Sequence, residues 1–531
     1  MIARVAYAYA YAYAYAGPRV VVGSRPSMSA SDEIHYPDGR VELSAPEALV
    51  GSPLYSQDLA PVAVARRTWS TWDYSALWIS MAHCIPTYKM ASDLIDKGMA
   101  WWQALATILL GNLIVLAPIL LNSHPGTKYG IPFPVFARAA YGTKGSNVPA
   151  LMRALIACGW FGINTWIGGA ALQAFFTSID SDWTHYLGDF NGYPTTQWIA
   201  FALFWGLNIL IIFRGMDVLR RVERFAAPFV LVMTAALVAW AINGAGGLGP
   251  LLERTSFVAP KDAPDSTAWT VFIPALTATI GFWSTLSLNM PDFTRFGRSQ
   301  REQAIGQVVA LPTTMTVFAA MGITITSATI LIYGHAIADP IALGAMFGSR
   351  LVVGIAMFTI VIATLAVNIA ANVVSPANDF ANAFPKHIDF KRGGLITGII
   401  GICMFPWEIL KDANSYIIGW LVGYSGSLGS IAGVLIVDYW ILRKTTLDLK
   451  SLYVTDGAYR YNRGWNFAAI FATLAGTVVA LLGVFWEPMR PLYNWSWFVG
   501  FGLSGALYWM LMRARRVQVP SARARDRRPD R

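Results

Sequence analysis

The stretch Ala157-Cys-Gly-Trp-Phe-Gly-Ile-Asn-Thr-Trp166 lies inside an apolar run from about Val148 to Ile179. At 1.5 Å of rise per residue, a helix of that length crosses a bilayer. Trp160 falls near the middle of the run, whereas tryptophan usually sits in the headgroup belt at either end of a span. Asn164 stands one turn further on the same helix face. A ring with an amide beside it suits a flat ligand. It equally suits a helix contact in which Asn164 bonds a neighbour's backbone.

Similar runs recur along the chain. Of 531 residues, 55% are hydrophobic and 13% charged, against about 25% charged in soluble domains. The pattern predicts an all-α polytopic membrane protein with twelve spans, at 72–96, 99–122, 148–179, 197–214, 223–244, 268–290, 303–334, 349–374, 394–408, 412–440, 466–486 and 494–513. The three cysteines all fall within these spans and offer neither a disulfide framework nor a zinc spacing.

Before the spans, residues 1–68 read as a disordered tail. Its Tyr-Ala run at 6–16 is either part of that tail or an extension upstream of the true start. No apolar stretch with a cleavage site marks it as a signal peptide. After the spans, 514–531 form a basic tail.

The net charge of +10 is explained by topology rather than by a nucleic-acid partner. Of 40 Lys and Arg, 33 fall on one side, counting the N-terminal segment, every second loop with the span ends that adjoin it, and the C-terminal tail. The other loops hold only Lys97, Arg254, Lys261, Arg350, Lys411 and Arg490. Positive loops stay inside, so an inner cell membrane with both termini cytoplasmic is expected.

Two spans read as broken. Ser80-Met-Ala-His-Cys-Ile-Pro86 places a proline in mid-membrane, which costs roughly 3 kcal/mol inside a helix. Gly281-Phe-Trp-Ser-Thr-Leu-Ser-Leu-Asn-Met-Pro291 crowds polar and helix-breaking residues around Trp283. Breaks in the first and sixth spans point to two inverted five-helix repeats, about 72–244 and 268–440, with peripheral helices at 466–513. Two ordinary kinks are the other reading.

Ser123-His-Pro-Gly-Thr-Lys-Tyr-Gly-Ile-Pro-Phe-Pro-Val-Phe-Ala-Arg138 resembles the loop between the second and third helices of the nucleobase–cation symporter-1 family. Gly159-Trp-Phe-Gly-Ile-Asn-Thr-Trp-Ile-Gly168 and Asn368-Ile-Ala-Ala-Asn-Val-Val-Ser-Pro376 resemble it too, in the right order and spacing. Similar patterns run from about Trp69 to Arg513. The resemblance implies a leucine-transporter-like fold over 69–513 and import of a heterocycle by alternating access. Uracil, allantoin or hydantoin types are expected first, with purine or cytosine as further options.

The same resemblance assigns a site. Trp160 and Trp283 match the tryptophans that sandwich the ligand, and Asn164 and Asn372 match the amides that read its edge. Asparagine at 164 is one methylene shorter than the glutamine often found there. Cys84 stands where the hydantoin transporter has glutamine, and the backbone at Phe282 adjoins the ligand.

The sodium site of the family maps onto Ser80, His83, Ala363, Ala366 and Val367. Ala366 and Val367 replace its two hydroxyl residues. A hard cation wants about five or six oxygens, so the loss of two predicts that protons rather than sodium drive transport. A sodium-coupled symporter is the weaker alternative. His83 is the candidate proton carrier; a neutral histidine bonded within the bundle is the other reading. Lys89 is expected to pair with Asp93 one turn on, or to act as a tethered cation. Asn378 and Asp379 are expected to cap a helix and pair with a nearby Arg or Lys.

An enzyme is not expected: no HExxH, nucleophile–base constellation or P-loop is present. No cofactor is called for beyond H⁺ or Na⁺ as coupling ion. The partners are a small heterocycle and the lipid bilayer, and a monomer is compatible with all of this. A membrane-bound nutrient sensor, binding the same ligand without moving it, is the alternative from another class.

Overall fold

The computed structural model describes residues 33–214, 216–384 and 387–513; the Tyr-Ala run at 6–16 and the tail at 514–531 lie outside the described residues. The helices of the first half are α1 (Thr71–Ala82), α2 (Ile85–Asp96), α3 (Trp101–Tyr129), α4 (Phe133–Tyr141), α5 (Asn147–Ile179), α6 (Thr195–Arg214) and α7 (Met216–Gly244). Those of the second half are α8 (Ala268–Asn289), α9 (Gln300–Tyr333), α10 (Arg350–Asn372), α11 (Val374–Ala383), α12 (Phe390–Cys403), α13 (Ser415–Leu442), α14 (Phe467–Phe485) and α15 (Ser496–Arg513). Eight of these are long and apolar enough to cross a membrane: α3, α5, α6, α8, α9, α10, α13 and α14. The expected spans at 72–96, 223–244, 394–408 and 494–513 are filled by helices that are split, shorter or less apolar. α5 packs between α6 and α10, and α9 lies along α1, α2 and α3. α13, α14 and α15 pack together at one flank.

The first span is broken where its sequence requires it. Ala82 closes α1, Cys84 is extended (φ −139°, ψ 156°), and α2 restarts with Pro86 as its second residue. Proline tolerates a first turn, where its missing N–H has no intrahelical partner to lose.

The sixth span is not broken around Trp283, contrary to expectation. α8 runs unbroken from Ala268 to Asn289. The serine hydroxyls beside Trp283 bond inside the helix: Ser284 Oγ donates to Ile280 O at 2.9 Å and Ser287 Oγ to Ser284 O at 2.7 Å. Gly281 serves close packing, since a Cβ there would stand 2.6 Å from the Leu421 carbonyl of α13. Only Pro291, starting a separate short turn, ends the helix. A second interruption falls instead in the eighth span, between Asn372 and Val374.

Residues 123–129, expected as loop, continue α3. Pro125 removes the N–H that the Leu121 carbonyl would accept, and Trp440 Nε1–H of α13 supplies a donor at 3.1 Å. The helix stops at Gly130 in the left-handed region, φ 71°.

Residues 33–68, expected as disordered tail, are folded. β1 (Glu33–His35) pairs with β2 (Val41–Leu43), and Val41, Leu43, Leu49 and Leu59 are buried. Arg67 is buried and donates to the carbonyls of Val41, Val62, Thr127 and Lys128. Desolvation lowers its pKa to about 10, which still leaves it charged at neutral pH. Beyond the end of α3, its bonds go to loops of the lysine- and arginine-rich side: Val62 N–H donates to Gly130 O, Arg295 to Asp58 O and Tyr453 OH to Leu59 O. On the opposite face, Val258 N–H donates to Gly98 O and Lys97 to Asn414.

Trp440→Phe keeps the ring and leaves the Leu121 carbonyl without a donor. A buried orphan acceptor costs about 1–3 kcal/mol. The variant is expected to unfold several degrees earlier in a detergent thermal melt; an unchanged midpoint would show that the bond contributes nothing.

Candidate functional site

The break in the first span puts Cys84 at the meeting point of α5, α8 and α10. A small cavity opens there, with ≈ 50 Å³ of space for the centres of water molecules. Trp160, Asn164, Phe282, Trp283, Asn372 and Cys84 all line it. Each arrives by helical geometry: Trp160 and Asn164 from one face of α5, Phe282 and Trp283 from mid-α8, Asn372 from the last turn of α10.

The aromatic rings meet edge to face. Trp160 and Phe282 have centroids 5.1 Å apart at 67°, and Phe282 and Trp283 lie 4.9 Å apart at 74°. Trp78 of α1 braces Trp283 from behind at 5.1 Å and 87°. Tyr416 and Trp420 of α13 present their edges to Trp160 at 6.4 and 6.1 Å. These three supports are not legible in the sequence; none has an amide one turn away, the pairing that singles out Trp160.

Both amides have fixed orientations. Asn164 Nδ2 donates to Trp160 O at 3.0 Å, which leaves its Oδ1 and second N–H for another group. Asn368 Nδ2 donates to Phe161 O at 3.3 Å, to Thr165 Oγ1 and to Asn208 Oδ1. Its own Oδ1 therefore accepts from Asn372 Nδ2, at 3.1 Å. That chain ties α5, α6 and α10 together behind the cavity.

The residues mapped to a cation site do not gather as one lining. His83 and Ala363 line a second, larger cavity of ≈ 350 Å³ by the same measure, bounded by α7, α9 and α10. Val367 lines the small cavity, and Ser80 and Ala366 line neither. The two cavities share Cys84 and Asn164. In the larger one, His83 stacks on Phe318 at 4.3 Å and 10°, with its Nε2 3.2 Å from Thr234 Oγ1. Thr234 spends its own proton on Val230 O at 2.8 Å, so His83 Nε2 carries the hydrogen between them.

Lys89 pairs with Asp93 at 3.0 Å, as its spacing predicts. Asp379 pairs with Arg153, both buried, joining α11 to α5 below the small cavity, which Arg153 also lines. Asn289 is a further lining residue, deeply buried at the last position of α8. It sits in the polar run at 281–291, and reading that run as a helix break hid it. Among the described residues no group of His, Cys, Asp and Glu could hold a metal.

A profile described as permease for cytosine/purines, uracil, thiamine, allantoin matches residues 61–500. The chain is 40% identical to the purine-uracil permease NCS1 of Arabidopsis thaliana, over 86% of this chain and 78% of that one. It is 40% identical to the allantoin permease of Bacillus subtilis, over 87% and 93%. Among solved structures, the nucleobase-cation-symport-1 transporter Mhp1, closed with bromovinylhydantoin bound, superposes with a TM-score of 0.71. That match has 23% identity and covers 88% of this chain and 98% of Mhp1, which establishes the fold.

Arg153→Met leaves Asp379 as an uncompensated buried charge, expected to cost about 3–5 kcal/mol. Adding Asp379→Leu is expected to restore most of that. Equal melting points for the single and double variants would mean that the pair is not coupled.

Proposed function

This chain belongs to the family of permeases for cytosine and purines, uracil, thiamine and allantoin, and from that membership we propose that it imports a lactam heterocycle by proton-coupled alternating access. It is an integral membrane transporter. Our reading places it in the inner cell membrane with both termini cytoplasmic, supported by the 33 Lys and Arg of the tails and alternate loops.

The observation that carries the site is the convergence of two tryptophans and two amides on one mid-span cavity. Trp160 and Trp283 supply π-faces, and stacking a planar ring on such faces is worth about 0.5–1.5 kcal/mol beyond area burial. Asn164 and Asn372 each have one N–H engaged by protein, so each offers the ring one carbonyl oxygen and one N–H. A lactam edge presents the complementary donor and acceptor. A ring lacking them would leave the buried Asn164 and the half-buried Asn372 unpaired, which is how such a site discriminates. The relatives' names point to the same chemistry: allantoin, uracil and purines.

For coupling, the side chains at Ala366 and Val367 carry no oxygen, which favours a proton over sodium. His83 is the candidate carrier. With its Nε2–H donated to Thr234, an incoming proton binds Nδ1. The other titratable groups lining that cavity are Cys84 and Tyr88, and none of the lining residues is an acid, lysine or arginine. A proton reaches Nδ1 when the cavity opens to water, which links loading to the open state.

Two measurements test this reading. Thermal stabilisation of the purified chain by uracil, cytosine, hypoxanthine, allantoin and hydantoin should give at least one hit, by roughly 2.7 kcal/mol at a hundredfold excess over Kd. That hit should vanish in Trp160→Ala; persistence there would move the site elsewhere. In sealed proteoliposomes, an inward proton gradient should drive accumulation and a sodium gradient should not. His83→Gln should abolish the pH dependence, and a steep sodium dependence would overturn the coupling.

A further inference from the structure

Beyond the aromatic and amide pole, the small cavity has polar groups that the proposed site does not use. Asn289 follows Trp283 by six residues, about 9 Å along α8, and Arg153 precedes Trp160 by seven, about 10 Å along α5. α5 and α8 run in opposite senses relative to these offsets, so both residues lie toward the lysine- and arginine-rich side. Both line the cavity and both are 2% exposed.

Each carries a polar atom with no protein partner. Ser375 Oγ–H donates to Asp292 Oδ2 at 2.9 Å, so its lone pair accepts from Asn289 Nδ2 at 2.8 Å. Asp292 is itself held, its Oδ1 accepting from Phe133 N–H at 2.8 Å. That relay fixes the Asn289 amide and leaves its Oδ1 unpaired. Arg153 donates from Nη1 to Asp379, while its Nε–H has no acceptor. One orphan acceptor and one orphan donor thus belong to lining residues at this end of the cavity, in addition to the unpaired Nε1–H of Trp283 at the other. A buried polar atom destabilises the protein while unpaired, so a partner that supplies both bonds gains from two of them.

We propose that Asn289 and Arg153 form a second subsite, which takes the planar ureido substituent of a lactam-ring cargo. This rests on the reading of the cavity as the cargo site. A urea presents a carbonyl oxygen for Arg153 Nε–H and an N–H for Asn289 Oδ1. It is neutral, so it leaves the Arg153–Asp379 charge balance intact, whereas a carboxylate would compete for it. A single ring stacked at Trp160 and Trp283 fills one pole of the cavity; a ring bearing an extended amide reaches both. The cargo favoured is a hydantoin carrying a ureido group, the structure of allantoin, over uracil or bare hydantoin.

The test titrates the full-length, detergent-purified chain by thermal shift with 5-ureidohydantoin, 5-butylhydantoin and hydantoin. On the wild-type chain 5-ureidohydantoin should bind about tenfold more tightly than the apolar butyl analogue of similar length. Asn289→Ala should reduce that preference by about tenfold. Equal affinity for the two substituted rings on the wild-type chain overturns the subsite without needing any variant to fold. So does a preference that Asn289→Ala leaves unchanged, whether or not overall affinity falls. A wild-type chain that binds none of the three, nor uracil, overturns the proposed cargo site itself and is thereby distinct from failure of the subsite alone.

Discussion

A carbonyl deprived of its helical donor has no water to turn to inside a bilayer, and this constraint organises the molecule. Pro125 frees the Leu121 carbonyl, and Trp440 of α13 takes it. Pro291 frees the Ser287 carbonyl four residues before it, and Asn122 Nδ2 of α3 takes it at 2.7 Å. Each proline thus creates a bond between helices rather than merely a kink. The second of these clamps α3 against α8 one turn below Trp283, so the aromatic wall of the cavity is positioned by a backbone defect and its repair. Where no side chain closes the gap, at His83 and Cys84, the chain leaves the helix altogether, and both cavities open.

Rigid support surrounds that break. Trp78 backs Trp283, and Tyr424 OH donates to Gly281 O at 2.8 Å, one turn before Thr285. On the other wall the Asn372–Asn368–Asn208 chain and the Arg153–Asp379 pair bind α10 and α11 to α5 and α6. Helices tied in this way move as one body, which alternating access between two bundles requires.

Much of this was legible in the residues. Long apolar runs separated by polar turns gave the helices, because in lipid only such runs can stand. A tryptophan and an asparagine at mid-span marked the cavity, since neither belongs there without a partner. Other features were hidden for definite reasons. Serines and a glycine in α8 look like helix breakers when unsupported; hydroxyls bonded back to the preceding turn and a glycine pressed against Leu421 O make the same letters a straight helix. Asn289 was invisible as a lining residue because its role depends on Ser375, 86 positions away. Residues 33–68 look polar and mixed because their partners are loop carbonyls, and sequence gives no periodic sign of those.

The folded N-terminal segment bears on how the chain is made. Glu33 accepts from the backbone N–H of Leu449 at 2.7 Å, across a separation of 416 residues. Tyr453 reaches back to Leu59 in the same way. At about 5–20 residues per second, the ribosome delivers those partners on the order of tens of seconds after the segment itself. Until then Val41, Leu43, Leu49 and Leu59 lack the loops that the segment bonds to, so a segment made early is among the last to settle. The strap therefore closes over helices that have already been synthesised.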